Sequence, residues 1–178
     1  MSVVGLTVEL VVGTESGDAT QRISAAFERA GDEVRDLMKY AGPRLVPVFE
    51  DAETRQFAAE GDGPYAGHWA ALSEAYAAWK AKKYPGKPLL VRTGELREAL
   101  TSSSSPLAAR DYSATQFAFG TVGLEYASFH QVGAAFMPAR PPFDFDSEFE
   151  NEFEAAAHLS VVDALKAARL DEFARVSP

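Results

Sequence analysis

The chain has no cysteine among its 178 residues. That excludes disulfides, thiol nucleophiles and cysteine-ligated zinc, and it agrees with synthesis in a reducing compartment. Histidine is scarce too. His68, His130 and His158 lie far apart, and no H-E-x-x-H or similar pair sets two imidazoles on one helix face. Isolated surface or packing roles are expected of them, not a metal site. No apolar run approaches the roughly 18 residues needed to span a bilayer. The start Met1-Ser2-Val3-Val4-Gly5-Leu6 has no positive leader, so a soluble, cytoplasmically made protein is expected. Neither G-x-x-x-x-G-K-[ST] nor G-x-G-x-x-G occurs, which leaves no phosphate cradle. Ser102–Ser105 lacks the glycines of a nucleophile elbow. No cofactor is expected.

Positive charge is also in deficit, with 17 Lys and Arg against 26 Asp and Glu, a net charge of −9. Such a chain is a poor candidate for gripping nucleic acid, because phosphate neutralisation supplies most of that affinity. It is compatible with a surface that DNA slides past, and equally with solubility alone.

What is present is an ordinary globular composition, 47% hydrophobic and 24% charged, in a length that suits one domain. Val4, Leu6, Val8 and Leu10 alternate with Thr7 and Glu9, the period of a half-buried strand over residues 3–12, and Gly13–Gly17 reads as a turn. From a cap at Asp18 or Thr20, the three- and four-residue steps of Ile23, Phe27, Ala30, Val34, Leu37, Met38 and Ala41 predict a long helix. Pro43 and Pro47 should stop or kink it, with a second helix over Val48–Ala59 and a break at Glu60-Gly61-Asp62-Gly63-Pro64. A short helix is expected from Trp69 to about Tyr84, and another after Thr93-Gly94-Glu95-Leu96. The run Thr101–Ser105 followed by Pro106 reads as a polar, mobile loop, within a loop 101–111 of unassigned role, and residues 112–122 as a strand. Tyr126–Val132 reads as a turn or two of helix closed by Gly133, and Phe136–Phe143 as an extended proline-rich arm. Ser147 and Glu150 form a capping box before a C-terminal helix with Phe149, Phe153, Ala157, Val161, Leu165 and Phe173 inward. The fold class is α+β: a small, mostly antiparallel sheet on a long N-terminal helix, residues 1–146, followed by a helical extension, 147–178.

The acidic run Asp144, Asp146, Glu148, Glu150, Glu152 and Glu154 lacks the central glycine of a calcium loop. It is best read as an acidic helix start favoured by the helix dipole. A pair of these acids working as a hydrolase is the alternative from another class.

Read as an ordered set, the middle of the chain resembles a known family. Gly67-x-Trp69, Tyr76 and Lys80 precede Leu90-x-x-Thr93-Gly94-x-Leu96; Tyr126-Ala127-x-x-His130-Gln131-x-Gly133 and Pro138-Ala139-Arg140-Pro141 follow. The series resembles the phage virion morphogenesis, or tail-completion, family typified by phage Mu, over about residues 20–145. The resemblance implies a structural virion protein, not an enzyme, made in the host cytoplasm. It would form a ring, expected to be a hexamer, in the neck, where it completes the tail or joins it to the DNA-filled head; a tail-tube terminator is the near alternative. Partners would be copies of itself and adjacent neck and tail-tube proteins, with DNA only passing through and no membrane. Trp69 and Tyr76 are expected as core anchors, Lys80 as a solvated or intersubunit charge, Thr93 and Gly94 as a helix cap. His130 would hydrogen-bond a backbone carbonyl to fix the turn before Gly133. Arg140 is the best candidate for a contact between subunits, with Phe136, Phe143 and Phe145 anchoring the arm in a neighbour's pocket.

Overall fold

A computed structural model describes residues 8–10, 18–60, 69–114, 116–143, 147–168 and 174–176. Val4 and Leu6, the turn Gly13–Gly17, the break Gly61–Pro64, Gly67, His68, Asp144–Asp146 and Phe173 lie outside the described residues, as does the side chain of Ile23.

Strand β1, Val8–Leu10, pairs antiparallel with β4, Ala174–Val176, in the register Val8↔Val176. Helix α1, Asp18–Arg35, and helix α2, Leu37–Ala58, meet at Asp36, so the expected long helix is divided there. The prolines do not divide it. α2 runs through Pro43 and Pro47, both exposed and four residues apart on one side of the helix. The carbonyls they leave without a donor can therefore turn to water, while Ala41, Leu45 and Ala52 on the opposite side hold the helix by burial.

That buried side packs on α6, Ser147–Ala167. Ala41 and Leu45 meet Ala156, and Ala52 meets Phe149. The buried stripe of α6 is Phe149, Ala156, Ser160 and Ala164; Phe153, Ala157, Val161 and Leu165 are half-buried beside it. Small residues on this line let the two backbones approach, and Ser160 satisfies its hydroxyl by donating to Ala156 O at 2.7 Å. Arg44 reaches Asp163 at 2.5 Å and Arg55 reaches Glu152 at 2.7 Å along the seam. α1 closes the far end, with Ala26 and Ala30 on Ala168.

Where a loop was expected as far as residue 111, the chain forms strand β2, Ala108–Tyr112, paired antiparallel with β3, Phe117–Thr121. Sequence reasoning missed it because Ala-Ala-Arg-Asp-Tyr has little strand propensity and a charge at its centre. Arg110 is nonetheless an inward residue. Its guanidinium lies 3.7 Å over the Phe119 ring, and its Nη2 donates to the carbonyls of Ala99 at 2.9 Å and Leu100 at 3.0 Å. These belong to the last turn of α4, Glu95–Thr101, where carbonyls lack helical partners and favour a cation. The hairpin thus leans on α2 and α4, and Phe49 of α2 joins Phe119 (4.8 Å between rings) to Phe149 (5.0 Å). The fold is α+β, as the sequence pattern predicts.

Candidate functional site

A core cluster of Phe57, Trp69, Val91, Leu96 and Leu100 forms the floor of the region that carries the family-like residues. Trp69 is the core anchor expected of it. Its indole N–H donates to Pro141 O at 2.9 Å, and its ring meets Phe57 edge-on at 5.3 Å. The residues after it are not helical. Helix α3, Glu74–Lys83, begins at Ser73, whose Oγ accepts from Tyr76 N at 3.4 Å, later than the apolar spacing predicts.

The extended segment before α3 is held by Arg140. Its Nε donates to Ala70 O at 2.5 Å and its Nη2 to Ala71 O at 2.9 Å, and its own N–H donates to His130 O at 2.7 Å. The side chain is only 4% exposed, so the fork expected to reach a neighbouring subunit is turned inward and clamps the fold. Lys80 is corrected in the same sense: it is 6% exposed, and its ammonium donates to Pro88 O. Burial lowers its pKa, Arg140 adds to that, and Glu60 opposes it.

Tyr76 is the reverse case. Expected as a core anchor, it is 42% exposed and stacks on Trp79, 45% exposed, at 5.3 Å. Tyr84 meets Trp79 edge-on at 5.7 Å. α3 therefore turns its aromatics outward and Lys80 inward.

The loop from Tyr84 to Gly94 forms the next wall. Leu90 has positive φ (55°), and Gly94 adopts the left-handed conformation (φ 104°) as the first residue outside α4. Thr93 makes no regular side-chain cap: its hydroxyl donates to Glu95 Oε2 at 2.8 Å and stands 3.5 Å from Glu95 N.

Opposite stands α5, Tyr126–Val132, closed at Gly133 (φ 80°) as expected. A Cβ there would press on Met137 O and Ala139 N, each 3.0 Å away. Tyr126 meets His130 edge-on at 5.9 Å. The expected bond from His130 to a carbonyl is not made: Nδ1 is buried without a partner, and it is the backbone carbonyl of His130 that takes part in the turn. Burial, with Arg140 beside it, lowers the His130 pKa. The neighbouring Gln131 holds the arm, its Nε2 donating to Phe143 O at 2.9 Å and its Oε1 accepting from Phe143 N at 3.2 Å. Phe143 is half-buried against the core, whereas Phe136, at the tip of the Ala134–Met137 turn, is fully exposed. Phe145 lies outside the described residues.

These parts enclose one groove, with a cavity of about 780 Å³. Tyr76, Lys80, Leu90, Thr93, Gly94, Leu96, Tyr126, His130, Pro138 and Arg140 line it, while Trp69, Gly133 and Phe143 support it from behind. Arg92 and Met137 also line it, and neither was singled out from the sequence. Gln131, inside the quoted Tyr-Ala-x-x-His-Gln-x-Gly series, was the one signal available for the arm clamp. Of the groove's polar groups, Lys80 and Arg140 hold backbone carbonyls and the Thr93 hydroxyl holds Glu95. Among the described residues, no group of three or more His, Asp or Glu is placed to hold a metal ion, and no helix is long and apolar enough to cross a membrane.

No curated protein and no solved structure matches the chain. The sequence profile of the phage virion morphogenesis family matches residues 15–160, a span that contains every residue of the groove and most of α6. The chain belongs to the phage virion morphogenesis family.

Proposed function

We propose that this virion morphogenesis protein forms a ring in the neck of a tailed particle, where it completes the tail or joins it to the DNA-filled head. It acts by shape and contact, without catalysis. Its neighbours are further copies of itself, in a hexamer that matches tail symmetry, and the adjacent neck and tail-tube proteins. DNA passes through the ring without being gripped, as a net charge of −9 favours.

The observation that carries this reading is the character of the groove. The residues that resemble the family build an open surface feature lined in part by exposed Tyr76 and Phe136, and α3 and α5 beside it also expose Trp79, Phe129 and Val132, side chains that a free monomer gains nothing by exposing. Exposed aromatics around a recess are the usual make-up of a contact surface.

Electron microscopy of lysates from the producing genome with this gene deleted tests the proposal. Filled heads beside separate tails are expected. Tails of abnormal length would shift the role to tail termination, and intact infectious particles at normal yield would refute both.

A further inference from the structure

The groove is positive inside a negative protein. Lys80, Arg92, His130 and Arg140 line it, and none of its lining residues, among those described, is Asp or Glu. The two buried cations, Lys80 and Arg140, donate only to backbone carbonyls, of Pro88 and of Ala70 and Ala71. Glu60 and Glu95, which act on Lys80 and Tyr126 from outside the lining, are engaged by Leu89 N–H at 2.7 Å and the Thr93 hydroxyl at 2.8 Å. Buried cations without a carboxylate are uncommon, since desolvation of the charge is then uncompensated. His130 Nδ1 is a further buried polar atom with no partner.

From this charge imbalance we propose that the groove is a receptor for a short, apolar peptide segment bearing a carboxylate, supplied by a neighbouring virion protein. The acid enters toward Lys80 and Arg92, and the flanking apolar residues pack on Leu72, Leu90 and Met137. This rests on the assembly role and names the chemistry of the partner. A volume of about 780 Å³ admits a stretch of extended chain and is far larger than a lone phosphate needs. Nucleic acid fits less well: a phosphate backbone carries no apolar side chains for the walls.

The test is selection of short random peptides displayed against the purified full chain, scored apart from particle assembly. Enriched sequences are expected to combine Asp or Glu with aliphatic or aromatic neighbours. Their synthetic versions should bind at least about tenfold more weakly to Arg92→Glu, and also more weakly when the acid is replaced by its amide. Lys82→Glu, an exposed change outside the lining, should leave binding unchanged. Lys80→Met, checked for native circular dichroism, should weaken binding as Arg92→Glu does. Failure to enrich, a neutral or basic consensus, equal loss with Lys82→Glu, or tighter binding of a single-stranded oligonucleotide of matched charge would each overturn the proposal. Such a failure leaves a separated-head phenotype of the deletion untouched, so the two readings fail separately.

Discussion

Arg140 ties three segments with one side chain and one amide: the stretch before α3 at Ala70 and Ala71, the end of α5 at His130, and the arm itself. Replacing it with alanine removes two charge-assisted bonds and leaves their carbonyls unsatisfied. Arg140→Ala should lower stability by about 3 kcal/mol in urea unfolding. Arg140→Lys should recover less than half, because an ammonium lacks the fork that spans two carbonyls. Glu53 makes a different case. Both its carboxylate oxygens are buried without a hydrogen-bond partner, and burial pushes its pKa well above the ordinary 4.5, with Arg110 pulling the other way. Between those two values the folded state binds more protons than the unfolded chain. Its contribution is thus complete below about 4.5 and is lost as pH rises through the folded value. Glu53→Gln should therefore match the parent in acid and exceed it at neutral pH, as urea midpoints at two pH values would read out. At this scale Trp69 was legible because a buried tryptophan is the default reading. Lys80 and Arg140 were not, because their acceptors are backbone carbonyls, which every residue has and no motif displays.

Among the elements, α2 carries the most consequence. It holds α6 on one side and the β2–β3 hairpin on another, and the close approach at Gly42 is what lets Tyr112 lie across it. A Cβ at Gly42 would fall on the Tyr112 ring. Gly42→Ala should destabilise by about 1–3 kcal/mol despite alanine's better helix propensity. In a Tyr112→Ala background the same change should become neutral or stabilising, a sign reversal that thermal unfolding of the four chains would detect. The helices announce themselves by period and cap, and α6 starts at Ser147 as expected, but its buried line is Phe149, Ala156, Ser160 and Ala164 and it ends at Ala167, with Ala174–Val176 a strand and not a continuation of the helix. The starting point of α3 did not announce itself, since Trp69 and Leu72 fit a helical step by accident while Ser73 sets the cap. β2 was hidden by Arg110, whose stacking on Phe119 only a tertiary arrangement can supply.

For the molecule as a whole, the question is whether residues 147–178 are an extension or part of the body. α6 covers the apolar side of α2 along most of its length, and the family match runs into it as far as residue 160. A chain ending at residue 146 would expose Leu45, Phe49 and Ala52. It should lose cooperative urea unfolding and bind a hydrophobic dye, whereas a cooperative, dye-silent fragment would establish the extension. The two halves also differ in how they answer salt. The α2–α6 seam is bridged by Arg44–Asp163 and Arg55–Glu152, partly exposed ion pairs that dissolved ions screen. The groove is fastened by buried cations donating to carbonyl oxygens, which salt reaches far less. Rising ionic strength should thus loosen the molecule from the helical side first, with amide exchange rising along α6 before it rises in residues 69–94.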